Sequence, residues 1–184
     1  LPTTEFYNRI YGQKGWKAIT IRSLSIGQGE ILVTPLQLAN QAAAIANKGY
    51  YITPHFNRND SMKSDIHTTL VDSIHFDVVH RGMERVMTNG TGRWYKIPEL
   101  QMCGKTGTVQ NPHGEDHALF IGFAPKDNPQ IAVAVAVENA GFGATWACPM
   151  ATLVMEQYLT GEIKRNALYE RMVNANLIDK SDEE

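Results

Sequence analysis

The sequence predicts an α+β domain in which helices flank an antiparallel sheet of three strands. Three observations carry this. Apolar residues recur at helical spacing over two segments of the first ninety residues, and the period falls to two between residues 100 and 138. The period-two segments are separated only by the turns "NPHGED" and "KDNP", so they form a meander. The last of them, "IAVAVAVE", is apolar on both faces, as in a strand lying centrally in a sheet covered on both sides.

The first thirty residues are mixed and glycine-rich, and "SIGQG", Ser25 to Gly29, reads as a structured loop. "VTPLQLANQAAAIANKG" is a marked helix: Thr34 suits the N-cap, Pro35 the first helical position, and Gln37 a capping box. Leu38, Ala42, Ile45 and Ala46 form its apolar stripe, and Gly49 ends it. Its alanines imply close packing against another element.

Residues 50–70 read as an irregular connection with a strand-like start, Tyr50 to Thr53. "SIHFDVVHRGMERVM" is a second helix, with Ser73 as its cap and Ile74, Val78, Val79, Met83, Val86 and Met87 as its stripe. "TNGTG" ends it. Strands follow over Leu100 to Gln110, "HALFIGFAP" and "QIAVAVAVEN". In the third, Ile131, Val133, Val135 and Val137 oppose Ala132, Ala134 and Ala136, so one face is bulky and the other admits a close helix. A helix from about Pro149 to Thr160 buries Met150, Leu153, Val154 and Tyr158, and "NALYERMVNANLI" is a short amphipathic helix before a solvated tail, "DKSDEE".

With 184 residues, 43% hydrophobic and 20% charged, the chain suffices for one ordinary globular core. A net charge of −2 removes the bulk electrostatic case for nucleic acid or an anionic membrane. No apolar run approaches the ~18–20 residues of a membrane span. Cys103 and Cys148 have no metal-ligand spacing and read as free, buried thiols, with a Cys103–Cys148 bridge as the alternative. His113 and His117 sit around a turn rather than on a helix, which argues against zinc. Trp16, Trp94 and Trp146 read as packing residues. No cofactor is expected.

The stretch "MCGKTGTVQNPHG" admits two chemical readings. As a phosphate loop it fails: the first glycine of G-x-x-x-x-G-K-[ST] would be residue 99, which is Glu99, and a strand rather than a helix follows. As the Lys-Thr-Gly element of serine acyl-transfer enzymes, Lys105-Thr106-Gly107 fits, because that element belongs on a strand. Together with "SIGQGEILVTPLQLANQAAAIANKGYYITPHF", "NGTGRWYKIPELQMCGKTGTVQ" and "HALFIGFAPKDNPQIAVAVAVEN", it makes residues 20 to 160 resemble the class B penicillin-binding proteins of the elongation type, in order and spacing.

That resemblance implies a β-lactamase-like transpeptidase fold. Lys105 would supply a positive field for the donor peptide's terminal carboxylate, Thr106 a hydroxyl that bonds it, Gly107 a bare strand edge, and the Thr108 N–H half of an oxyanion hole. The family's nucleophile is the serine of Ser-x-x-Lys. None of Ser23, Ser25, Ser61, Ser64, Ser73 and Ser181 has lysine three residues on, and Ser-x-Asn is also missing. The chain therefore reads as the C-terminal part of a transpeptidase domain over residues 1–162, with a helical tail over 163–184, inactive alone. The implied parent cross-links peptidoglycan stem peptides, is acylated by β-lactams, works with a membrane glycan polymerase, and is anchored at the periplasmic face of the inner membrane. A penicillin-recognising sensor domain is the alternative. In the family the strand matching Gln130–Glu138 is central, between the strand matching His117–Ala124 and one from earlier in the domain. An edge of residues 130–138 is therefore expected to stand open and to favour self-association.

Overall fold

A computed structural model describes residues 2–55 and 65–178. The chain divides into two compact units, Leu1–Thr34 and Pro35–Glu184.

The smaller unit holds α1 (Thr4–Tyr11), α2 (Ala18–Arg22) and a 3-10 turn over Ser23–Ile26. Thr3 caps α1, its hydroxyl accepting from the Phe6 N–H. The unit is organised by aromatic rings: Tyr7 stacks on both Tyr11 and Trp16. Tyr7 and Tyr11 each donate to the Glu30 carboxylate, at 2.9 and 2.7 Å. These bonds hold the Glu30 carboxyl below its ordinary range. "SIGQG" is a structured loop as expected: Gly27 and Gly29 adopt φ of 77° and 87°, the left-handed region glycine tolerates.

In the larger unit, α3 (Pro35–Ala46) starts at the proline and ends in a turn in which the Gly49 N–H reaches back to the Ala44 carbonyl at 2.9 Å. The connection read as irregular contains a small sheet: β1 (Tyr50–Ile52) pairs antiparallel with β2 (Ile66–Thr68). Ser61 and Lys63 lie outside the described residues, as does the tail "DKSDEE".

The second helix, α4 (Ser73–Thr88), is capped by Asp72 rather than Ser73; Asp72 Oδ1 accepts from the Ile74 N–H at 3.0 Å. Its buried face also differs from the expected stripe. Met83 and Met87 are buried as expected, but Phe76 and His80 join them, whereas Ile74 and Val78 are 65% and 61% exposed. The face turned inward is the one that packs on the next strand, and His80 enters the core because its Nε2 bonds the Ile45 carbonyl at 2.7 Å.

The meander follows as expected: β3 (Cys103–Val109), β4 (His117–Ala124) and β5 (Ile131–Val137), all antiparallel in the order β3-β4-β5. Helices cover both faces. On one, α3 packs on β5 and β4 and α4 on β3. Ile45 and Ala46 of α3 meet Ala132, Phe123 and Cys103 there, so the alanine face does receive a close helix. On the other, α5 (Ala147–Thr160) packs on β4 and β5 through Ala147, Cys148, Ala151 and Met155, against Phe120 and Val133. The apolarity of both faces of β5 matches the cover on both sides of the sheet. Among the described residues β4 is the central strand and β5 an edge.

The expected stripe of α5 is only partly right. Leu153 is buried, but Val154 and Tyr158 are 49% and 62% exposed. Small residues face the sheet because the helix lies close to it. Cys103 and Cys148 are free and buried in separate clusters on opposite faces. Burial pushes each thiol up to about 12.

The final helix, α6 (Asn166–Val173), is tied to α5 by a buried ion pair that the sequence did not announce. Glu156, 3% exposed, takes the Arg165 guanidinium at 2.8 Å and the Lys164 N–H at 3.1 Å. Arg165 also donates to the Tyr95 carbonyl and the Thr152 hydroxyl.

Candidate active site

Strand β3 carries all four residues of the Lys-Thr-Gly-Thr element. It pairs with β4 on one side, Lys105 opposite Ile121, Thr106 opposite Phe120, Gly107 opposite Leu119 and Thr108 opposite Ala118. No described strand pairs with its other side. Lys105 is exposed, and Thr106, Gly107 and Thr108 are half-buried.

The pleat sorts these side chains. Lys105 shares a face with Ile121, while Thr106 and Thr108 share the other with Phe120 and Ala118. The Lys105 ammonium donates to the Thr106 carbonyl. The Thr106 hydroxyl is 2.9 Å from that of Thr91, in the loop that ends α4. The Thr106 residue thus ties a cation, through its carbonyl, and a second hydroxyl, through its own, to β3.

Gly143, in the connection from β5 to α5, clamps the strand from one face. A methyl placed there would lie 2.2 Å from the Leu119 carbonyl oxygen, 2.3 Å from that of Gly107 and 3.1 Å from the Gly107 nitrogen. These three atoms gather under one point, as in a pair of residues bonded to each other. Alternation along an antiparallel strand then turns the N–H and C=O of Thr106 and Thr108 toward the open edge. The connection itself is stitched to the β3–β4 turn. Ala140 and Gly141 donate to the Asp116 carbonyl at 3.0 and 2.7 Å, and Asn111 bonds both Asp116 and Asn139.

His117 opens β4, where its Nδ1 accepts from the Asn139 N–H at 3.0 Å. Trp146 is half-buried under the Arg171 guanidinium, and Trp16 stacks on Tyr7, so both pack as expected. Trp94 does not: it is 77% exposed, with Arg93 over its ring. A cleft of about 460 Å³ lies at the β3–β4 turn, lined by His113, Glu115, Glu138 and Trp146 rather than by Lys105 or Thr106.

Sequence reasoning missed Thr91 and Gly143. "TNGTG" was legible as a helix terminator, and nothing in a linear reading pairs position 91 with 106. The glycine in "AGFGAT" gives no sign that it meets a strand thirty-six residues earlier.

An antiparallel sheet held between helices, with Lys-Thr-Gly-Thr on its open edge, defines a penicillin-recognising transpeptidase fold. Residues 4–156 match the penicillin binding protein transpeptidase domain, and the chain belongs to that family. It is 35% identical over 182 residues to the peptidoglycan D,D-transpeptidase MrdA of Acinetobacter baumannii, a match covering 86% of this chain and 27% of the relative. The MrdA of Haemophilus influenzae is 33% identical, over 92% of this chain and 30% of its own length. Among solved structures, Pseudomonas aeruginosa PBP2 in complex with WCK 5153 superposes with a TM-score of 0.73 at 35% identity, covering 90% of this chain and 38% of that one. Penicillin-binding protein A of Mycobacterium tuberculosis, in its imipenem acyl-enzyme complex, gives 0.63 at 30% identity over 74% of this chain and 33% of that one. The chain spans less than a third of the length of these two MrdA relatives.

Proposed function

We propose that the chain works as the substrate-strand part of a peptidoglycan D,D-transpeptidase of the PBP2 type. The observation that carries this reading is the run Lys105-Thr106-Gly107-Thr108 on β3, a strand with no described neighbour on its second side, where Lys105 bonds the Thr106 carbonyl and Thr106 the Thr91 hydroxyl. In this reading Lys105 and Thr106 hold the terminal carboxylate of the donor stem peptide. A fixed ammonium and a hydroxyl suit a carboxylate, which only accepts hydrogen bonds. The Thr108 N–H points at the carbonyl under attack, where negative charge develops.

The nucleophile is the serine of a Ser-x-x-Lys motif outside residues 1–184. Its hydroxyl oxygen attacks the penultimate residue's carbonyl and expels the terminal residue. An amine of a second stem peptide then attacks the resulting ester and frees the serine. A β-lactam enters the same site and remains as an acyl group, as the acyl-enzyme of the mycobacterial relative supports. The reading also has the protein anchored in the inner membrane, facing the periplasm, beside a glycan polymerase. The names of the relatives favour the enzyme over a sensor domain.

The test is labelling with a fluorescent penicillin. Full-length protein should give a stoichiometric adduct that survives denaturation, and the isolated 184-residue chain should give none. An unlabelled full-length protein would remove the transpeptidase reading, and a labelled isolated chain would remove the assignment of the nucleophile.

A further inference from the structure

We propose that Thr91 is a positioning residue for the Thr106 hydroxyl, a role that rests on the transpeptidase reading above. The two Oγ1 atoms are 2.9 Å apart, a hydrogen bond between side chains fifteen residues apart in sequence. Thr91 is exposed and Thr106 half-buried, so the pair meets solvent where a carboxylate would lie.

The chemistry of two touching hydroxyls sets the role. Each carries one proton and two lone pairs. A carboxylate only accepts, so Thr106 serves it only by donating its proton. Thr106 must then be the acceptor within the pair, and Thr91 the donor. In that arrangement Thr91 Oγ–H points at Thr106 Oγ1, and the Thr106 proton points at the ligand. Hydrogen bonds in such a chain polarise one another, which strengthens the outer one. Without Thr91 the Thr106 rotor loses the contact that selects one staggered position.

The loop that carries Thr91 is built to hold it still. The N–H groups of Asn89 and Gly90 donate to the Arg85 carbonyl at 2.9 and 2.8 Å, and that of Gly92 to the Val86 carbonyl at 3.0 Å. The loop lies flat on the end of α4. A methyl on Gly90 would sit 2.8 Å from Val86 Cα, and one on Gly92 2.6 Å from Met87 Sδ. Thr91 therefore projects from a segment with glycines on both sides that leave no slack beneath it.

The experiment compares full-length wild type, Thr91→Val, Thr91→Ala and Thr91→Ser. The readout is the second-order acylation rate by benzylpenicillin and by its methyl ester, which lacks the carboxylate. Both variants without a hydroxyl should lose roughly 10- to 100-fold toward the free acid, the range of one hydrogen bond to a charged group, and no more than about threefold toward the ester, whose carbonyl is a weaker, uncharged acceptor. Thr91→Ser should return to about twofold of wild type, because it restores the donor. An equal loss toward acid and ester would make Thr91 a merely structural residue and overturn the proposal. So would an unchanged rate toward the acid in whichever of the Val and Ala variants folds. A wild type acylated by neither compound is a separate result, which takes down the transpeptidase reading and this proposal with it.

Discussion

Glu156 and Arg165 form a 2.8 Å ion pair inside the protein, with the glutamate side chain 4% and the arginine 22% exposed. The pair joins the last turns of α5 to the start of α6, and the same guanidinium holds the Tyr95 carbonyl ahead of β3. Removing the acid leaves a half-buried cation without its counter-ion, held only by the neutral Tyr95 carbonyl and Thr152 hydroxyl. Glu156→Gln should therefore destabilise the protein by about 3–5 kcal/mol, read as the shift in a urea midpoint. The exposed pair Lys164–Glu162 is the control, and Glu162→Gln should cost less than about 1 kcal/mol. Equal effects would mean that burial of Glu156 does not govern the pair.

Lys105→Ala in the full-length protein should slow acylation by benzylpenicillin roughly 30- to 5000-fold, the range for deleting one partner of a close charged contact. Lys96, also exposed but ahead of the strand, is the comparison, and Lys96→Ala should leave the rate within about twofold. Indistinguishable rates for the two variants would remove Lys105 from the site.

Both thiols should be silent to a thiol reagent at pH 8 in the folded protein and react on unfolding. Burial lifts each to about 12, so the native state keeps its protons while an unfolded thiol, near 9, gives them up. Above pH 9 the unfolded state therefore binds fewer protons, and stability falls with rising pH. The slope approaches about 1.4 kcal/mol per pH unit for each thiol until pH reaches about 12. Replacing both with alanine should flatten this part of the curve. An unchanged slope in the double variant would assign the alkaline loss to other groups.

Strand β5 pairs only with β4 among the described residues, and its other edge carries no lysine, proline or bulge between Ile131 and Val137. Such an edge is a template for another strand. The isolated chain is expected to cover it by self-association, by a swapped element or by its own terminal segment. Hydrogen exchange on Ile131 to Val137 in dilute protein should show protection at successive amides. Free-peptide exchange at alternate amides in a stable monomer would show the edge standing open.

Much of this fold is legible because its signals are local. "HALFIGFAP" is bounded by turn residues and overruns β4 only by its proline, and Pro35 marks the start of α3. Which face of a helix turns inward was harder to read. In α4 both Ile74–Val78 and Phe76–His80 continue at helical spacing into Met83 and Met87, and the choice falls to the neighbouring strand. On α5 the close approach of helix to sheet favours Ala147, Cys148 and Ala151 over the larger Val154 and Tyr158, against the usual ranking by hydrophobicity. The site divides in the same way. Lys105 to Thr108 stand in one run, whereas Thr91 and Gly143 join them only through the folded chain.

The contact between Gly143 and the backbone of Gly107 and Leu119 makes the connection before α5 a gauge of strand position. Side-chain contacts can absorb a change by rotating, but here main chain bears on main chain, and neither party has a torsion to spare. Bulk added at residue 143 is relieved by lifting the strand or by pushing back the start of α5, and the strand is the one with an open edge. A buried residue with no side chain can thus set where the backbone of β3 lies, so inherited variation in "AGFGAT" belongs on the same map as variation in "KTGT" itself.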